Sequence, residues 1–523
     1  MKQLNAQIVV CGASLGGTLA AYSAAKSGFS VILTEQTDWI GGQLTSQAVP
    51  PDEHPWIEHT GCTATYREYR NKVRQKYIEN PDFRLDRQAD MQFCPGDSLV
   101  SWLAHPPKLA LEILNEMLVP FVGKNLTLLL NTHLCDCNKV GNKIISVHCQ
   151  SRDEQYQLFG EMFLDGTDTG ELVCLSKTAY SVGAESFAQT GEIHAPQQAD
   201  STDMQPATYT AALENCIDGN FVIEKPQMYD YYNSLTVPYD NVKLFSMYGP
   251  DSSTGKAKQF GMFEGEKGKN GELFSLFRYR RIMCAKNFKR GVPFDVTLVN
   301  WPQNDFFLGN LFDCNDAEEN DFKVRQLTLS FVYWLQTEAP RADGGKGYPQ
   351  FRLAKEYLGT QDGLSKSPYI RESRRIKAVF TVTENMLKKS ETCTFFDSVG
   401  VGSYPIDLHI TTHSHTFLYG ATEKFTIPLG AMIPVETENL IPACKNIGTT
   451  HLTNGCYRLH PVEWNVGEAA GHLACFALKN NVSIKQVRQN ADLLKSFQNL
   501  LVQNGIQLYW NEELCNKIKL RKK

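Results

Sequence analysis

The stretch that most limits what this chain can become is its first 35 residues, Met1–Glu35. Gln7–Cys11 (QIVVC) is a short apolar run, as a buried parallel strand requires. Gly12-Ala13-Ser14-Leu15-Gly16-Gly17 follows, then small, helix-favouring residues from Thr18 to Lys26, then Gly28. Ser30–Thr34 (SVILT) reads as a second apolar strand, and it ends on Glu35. Strand, glycine turn, helix, strand and acid stand in the order of a dinucleotide-binding βαβ unit. Gly12 permits the tight turn, and Gly17 lets the helix pack close to the strand. The helix start at Ser14, Leu15 and Gly16 directs backbone N–H groups toward a pyrophosphate. Glu35, with Gln36 beside it, stands where a carboxylate accepts hydrogen bonds from ribose hydroxyls and repels a 2′-phosphate. Ser14 occupies the middle glycine position of G-x-G-x-x-G, so an ordinary buried βαβ with a glycine turn is the plain alternative.

A length of 523 residues is enough for two to four domains or for one discontinuous enzyme. Net charge −5 and an isoelectric point near 6.2 give no electrostatic case for nucleic acid or an anionic membrane. The basic tail Lys517–Lys523 reads as a solvated terminus. Lys2, an apolar run and small residues superficially imitate a secretion signal. The run contains a glycine turn and continues as helix and strand, which argues against one. No stretch approaches 18 uninterrupted apolar residues, so no membrane span is expected. The 15 cysteines are scattered, and Cys135-x-Cys137 lacks partners at zinc-ligand spacing. Free buried thiols, a cytoplasmic location and no metal site are expected.

Asp38-Trp39-Ile40-Gly41-Gly42-Gln43-Leu44-Thr45-Ser46-Gln47 comes next, with paired glycines a few residues beyond the acid. Here the sequence resembles the glutathione-reductase-like FAD-dependent oxidoreductases. More narrowly, it resembles the bacterial FAD-dependent oxidoreductase family whose second strand ends in Glu before W-I-G-G-Q-x-T. The resemblance implies that Gly41, Gly42, Gln43 and Leu44 run along the pyrophosphate and isoalloxazine of FAD. Pro50–His59 (PPDEHPWIEH) carries His54, Glu58 and His59, and reads equally as a cover over a site or a solvated loop. Cys62–Tyr77 and Lys108–Leu118 read as amphipathic helices. Leu126–Leu130 and Ile144–Cys149 read as strands; the resemblance implies that they join a small sheet, with backbone near His133 and Leu134 touching adenine. Gly160–Gly170 (GEMFLDGTDTG) resembles the returning strand whose Gly166 and Thr167 meet ribose and pyrophosphate.

From about Ser181 to Phe425, aromatics and irregular loops replace strand–helix alternation. Met247–Glu272 reads as an exposed excursion. Gly183–Ser186, Asn300–Asp305, Pro368–Arg375 and Ser398–His409 are similar to stretches of the same family. Gly455-x-x-Arg458-x-x-Pro461, five residues, then Gly467-x-Ala-Ala-Gly471 matches the family's closing motif at each fixed position. Small residues at a helix start let its N-terminal N–H groups face the flavin, where the dipole favours negative charge on the reduced ring. A helix-packing stripe is the alternative for the same residues. The expected fold is α/β: a Rossmann-like FAD-binding domain with a central parallel sheet, discontinuous in sequence, and an inserted mixed α+β substrate domain. Residues 1–180 and 425–523 supply the FAD-binding domain, and 181–424 the substrate domain.

No second strand–glycine turn–helix unit appears, and no C-x₄-C redox pair lies near the N-terminus. The expected reaction is therefore hydride transfer from a small organic substrate to flavin N5, with reoxidation by oxygen or another acceptor. FAD is expected to be bound non-covalently. Such chemistry needs a base and, for an acidic substrate, a cation. Candidates are His460 and Glu463 beside the flavin, and Asp407 and His409, two apart on a β-like segment and so on one face. Arg371, with Arg374 and Arg375, either clamps an anion or belongs to a structural arginine network. Trp301 and Asn304 line a pocket or close a turn. The alternatives are a nicotinamide-dependent dehydrogenase using the first βαβ, and a flavin-binding protein without turnover.

Overall fold

Short apolar runs buried on both faces pair in parallel, and four of them, with a partly exposed edge strand, build the central sheet. The structure is a computed structural model that describes residues 1–84, 91–289, 294–388 and 393–518. Residues 519–523 of the basic tail lie outside the described residues. β1 (Ile8–Cys11) leads through α1 (Leu15–Lys26) to β2 (Val31–Thr34). β3 (Leu126–Leu129), β4 (Met162–Asp165) and β5 (Leu440–Pro442) complete the order β5-β4-β1-β2-β3, every pair parallel. The sheet is thus discontinuous in sequence, as expected, with its last strand supplied nearly 300 residues after the fourth.

Two strand expectations need correction. Leu126–Leu129 does not join the small sheet; it forms the edge of the parallel one. Asn125 decides this: its side-chain amide donates to the Ala25 and Phe29 carbonyls, and its own carbonyl accepts the Val31 N–H, anchoring the strand beside β2. The small sheet consists of Thr132–Val140, Lys143–Ser151 and Gln155–Phe159, closed by an unanticipated strand at Lys2–Asn5 that pairs in parallel with Gln155–Phe159. The all-exposed and half-exposed sequence KQLN carries no apolar run to announce it.

A second sheet, antiparallel, orders Arg281–Met283, Val296–Val299, Ala211–Asn215 and Phe351–Leu353. The helix Ala317–Thr337 packs on it through Phe331, Trp334 and Leu335. The stretch 181–424 divides mainly between two cores: Leu213, Val299 and Phe351 lie in this one, whereas Val382, Val399, Ile406 and Leu408 pack with Leu15 and Leu19. All fifteen cysteines are free. No helix among the described residues is long and apolar enough to cross a membrane.

The element that closes the molecule is α2 (His460–Asn480), which is buried over most of its length. Its Gly467 and Gly471 lie four apart, on one face, against α1. A Cβ on Gly467 would stand 2.1 Å from the Gly16 carbonyl oxygen, and one on Gly471 2.4 Å from that of Ala20. Gly467 sits well inside the helix, so the reading of it as a flavin-facing helix start is corrected: the glycines bring two helix backbones into contact.

Gly467→Ala should therefore destabilise the protein by about 1–3 kcal/mol through overpacking. Gly420→Ala, whose Cβ would meet only Ile406 at 3.7 Å, should change stability by less than about 0.5 kcal/mol. Thermal and urea unfolding of the two variants checks the difference.

Candidate functional site

Two cavities flank the α1–α2 contact. The first, about 210 Å³, is lined by Gly12, Ser14, Glu35, Gln36, Leu134, Gly166 and Thr167, among others. Seven residues singled out from four separate stretches of sequence thus meet around one space. The β1–α1 turn makes the approach possible: Gly12 has φ +87°, and a Cβ there would lie 2.6 Å from the Thr167 nitrogen. Gly17 faces the Gly12 carbonyl just as closely. Gly41 donates its N–H to the Ala13 carbonyl (2.7 Å), which lays the 41–44 turn across the start of α1. Leu15 and Leu44 turn their side chains into the core.

Glu35 is held by the Ala13 N–H (3.0 Å), the Thr37 N–H (2.9 Å) and the Thr37 hydroxyl (2.8 Å). Burial pushes its pKa up to about 7, against those hydrogen bonds. The carboxylate faces the cavity with lone pairs to spare for ribose hydroxyls. Gln47, also on the wall, has a buried side-chain oxygen with no partner among the described residues. Glycine turn, acid and unpaired amide together form a cradle that fits the adenylate end of a dinucleotide.

Glu463 has a different part from the base expected of it. It is buried in the first turn of α2, and its Oε1 accepts the Gly16 N–H of α1 at 3.0 Å. Its Oε2 accepts from the Gln43 amide, and Lys445 Nζ lies 3.6 Å away. One carboxylate therefore stands at the positive ends of two helices. Asp168, Cys444 and Glu463 bring three ligand-type atoms within 4.8 Å of one another. Lys445 already supplies a cation there, 2.5 Å from Asp168. Burial and Glu463 keep Cys444 a protonated thiol, and it donates to Glu463 at 3.2 Å.

The second cavity, about 720 Å³, opens where the strand Ile406–Leu408 meets the loop after Val296–Val299. His409 and Asp407 line it, with Asp305 and Arg280. His409 Nδ1 is 2.5 Å from Asp305 Oδ2, and its Nε2 is 3.5 Å from Asp407 Oδ2, so the ring lies between two carboxylates. Burial and Arg371 disfavour the imidazolium, but the two carboxylates outweigh them and raise the His409 pKa. Asp407 is desolvated, yet His409 and Arg458 bring it down to about 2. Asp305 is likewise held well below the usual carboxylate range by Arg371 and His409.

Arg458 Nη1 donates to the Tyr369 hydroxyl at 2.6 Å and Nη2 to Asp407 Oδ2 at 3.1 Å. Gly455 packs against the Asp407 backbone, so the closing motif carries this wall. Pro461 sits in the first turn of α2, where its missing N–H leaves no donor unmet.

Two expected catalytic residues face neither cavity. His460 is fully buried: its Nδ1 accepts the Asp52 N–H (3.1 Å), so Nε2–H donates to the Val49 carbonyl (3.2 Å). That tautomer is neutral, and burial lowers its pKa to about 3. Arg371 lies behind the wall, donating to the Pro206 carbonyl, Thr208, Asn300 and Asp305 at 2.8–2.9 Å. It positions Asp305 and contacts no open space. Asn304 closes its turn by bonding the Tyr209 and Val299 carbonyls. The 50–59 loop covers the cavity: Glu53, His54 and Pro55 line it. Pro250 and Ser252 of the excursion do so from the other side.

Sequence reasoning did not single out Asp305 or Arg280 for this site. Asp305 ends a stretch already noted, Asn300–Asp305, but its partner His409 lies 104 residues on. Arg280 stands in FRYRR, where paired arginines follow aromatics.

Comparison with curated proteins returned no match. Among solved structures, the chain is similar to an L-proline dehydrogenase from P.horikoshii (11% identity, 35% of this chain and 24% of that one, TM-score 0.18). It is also similar to CabE, an aromatic hydroxylase from angucycline biosynthesis (14%, 43% and 40%, TM-score 0.25). A third is the flavin-dependent brominase Bmp2 (14%, 40% and 47%, TM-score 0.24). The chain spans less than half the length of each. The model of one family, described as FAD dependent oxidoreductase, matches residues 7–501, which sets aside both a nicotinamide site in the first βαβ and a role without turnover. The chain belongs to the FAD dependent oxidoreductase family: it is an enzyme, and its cofactor is FAD.

Proposed function

We propose that the protein oxidises a small organic metabolite in the 720 Å³ cavity, with FAD held non-covalently between that cavity and the Gly12–Glu35 cradle. The observation that carries this reading is His409, set between Asp305 and Asp407 on the cavity wall. Bound FAD would supply the two-electron acceptor, at N5, for the substrate's C–H hydrogen with its electron pair, and oxygen or another acceptor would reoxidise it. The rest falls to this chain's side chains. Neutral His409 accepts the O–H or N–H proton that the substrate must lose, so the product is a carbonyl or an imine. Asp305 fixes the ring through Nδ1 and is itself fixed by Arg371. Asp407, tied to Arg458, faces Nε2 and stabilises the imidazolium formed. The 50–59 loop and the aromatic walls exclude water from the transfer. Gly12, Ser14 and Leu15 with Gly166 and Thr167 serve the pyrophosphate, Glu35 the ribose, and Leu134 the adenine; Gly16 and Gly17, whose N–H groups go to Glu463 and Ser14, shape the turn instead.

Anaerobic bleaching of the flavin absorption by amines, amino acids and hydroxy acids tests the reaction class. Bleaching by none of them would sink it. Glu35→Ala should weaken FAD binding by about 10–100-fold, the worth of hydrogen bonds to a charged group. Fluorescence titration of the apoprotein with FAD reads this directly.

His409→Ala should slow flavin reduction by about 10²–10⁴-fold while leaving FAD content unchanged. Because a raised pKa keeps His409 protonated to higher pH, reduction should accelerate as pH rises through it. Asp305→Asn removes a charge that favours the imidazolium, so the acid limb of the stopped-flow pH profile should move to lower pH. A limb that stays in place would show that another group titrates.

A further inference from the structure

A charge buried beside a cavity is held by a hydrogen-bonded partner or awaits one. Around the larger cavity, nearly every charge has its partner. Asp305 has Arg371 and His409, Asp407 has Arg458, and Glu53 has Arg70 and the Tyr66 hydroxyl. Arg280 is the exception. It is 5% exposed and lines the cavity. Among the described residues its Nε–H alone is hydrogen-bonded, to the Asn300 carbonyl at 3.1 Å. Nη1 is buried without any partner. The carboxylate of Asp52 stands 3.7 Å from Nη1, close enough to balance its charge and too far to take its hydrogen bonds. Tyr279 supports the guanidinium from one face, with 5.0 Å between cation and ring centre.

A guanidinium so placed presents a planar fork of donors that matches a carboxylate. Phe274, Phe307, Phe417, Tyr404 and Tyr419 add five aromatic side chains to the wall. We infer that Arg280 anchors the carboxylate of the substrate, and that the substrate is a small carboxylic acid with an aromatic or otherwise apolar body. The inference rests on reading this cavity as the substrate site. It distinguishes Arg280 from Arg371 and Arg458, whose Nη groups are all taken up by protein acceptors and which, among the described residues, keep only a buried Nε without one.

The test is calorimetric titration of the holoenzyme with benzoate and with benzamide, its neutral isostere. The wild type should bind benzoate at least 10-fold more tightly. Arg280→Met should abolish that preference, and Arg280→Lys should keep part of it, both with wild-type FAD content and thermal midpoint. Failure of the wild type to bind benzoate, or equal binding of the two probes, overturns the proposal. So does a preference that survives Arg280→Met. Loss of FAD in the properly folded methionine variant would assign the guanidinium to the flavin instead and equally overturn it. If Arg280→Met does not fold, the wild-type comparison and the lysine variant decide the matter alone. Because binding is read without turnover, a carboxylate preference with no flavin reduction would leave the anchor standing and sink only the hydride-transfer reading.

Discussion

The structure depends on the contact of two helices from opposite ends of the chain, the start of α1 lying against α2. Gly16 of α1 and Gly467 of α2 touch through backbone, and Glu463 accepts the Gly16 N–H from the first turn of α2. Each partial positive charge at a helix start would be unfavourable beside the other. A buried carboxylate between them reverses the sign of that interaction. Lys445 and Gln43 then complete the carboxylate's own hydrogen bonding and charge. The closing segment is thereby set against the glycine turn of the first βαβ. Arg458, which stands just before α2, reaches Asp407 only because of this placement.

What could be read from the sequence was whatever depends on local backbone geometry. Gly12 has one conformation to satisfy, and the alternation of strand, turn and helix around it states that requirement within a few residues. The order of the motifs then carried the parallel sheet. A strand's destination is a different kind of information. Leu126–Leu129 has the same short apolar run whether it closes the main sheet or the small one, and the side chain that decides it, Asn125, acts through distant carbonyls. Gly467 presents the same ambiguity. A small residue near a helix start serves a ligand or another helix equally, and only its four-residue spacing to Gly471 favours the second.

Side-chain chemistry was less legible, because identical residues take opposite roles according to what surrounds them. His460 is buried and His409 half-buried, and each feels a nearby arginine. Backbone groups occupy both nitrogens of the first and hold it neutral, whereas two carboxylates favour the charged form of the second. Arg371 and Arg280 differ in the same way. One is surrounded by acceptors and the other by aromatic rings, a carbonyl and open space. Apart from Asp407 beside His409 and Tyr279 beside Arg280, these partners lie 20 to 411 residues away, where spacing along the chain says nothing of them.

The acid–base wall is assembled at the seam between the two cores. Asp305 follows a strand of the antiparallel sheet, while Asp407 and His409 come from a strand that packs with the nucleotide-binding core. A group fixed on one core and oriented by the other is sensitive to their relative position. The His409 ring meets Asp305 at 2.5 Å across this seam. Opening by even an ångström would weaken that charge-assisted bond and drop the imidazole pKa toward its ordinary value. The proton-accepting capacity of the site and the packing of the two cores are therefore one variable. Arg371 guards it by tying the Pro206 carbonyl, Thr208, Asn300 and Asp305 into a single buried knot.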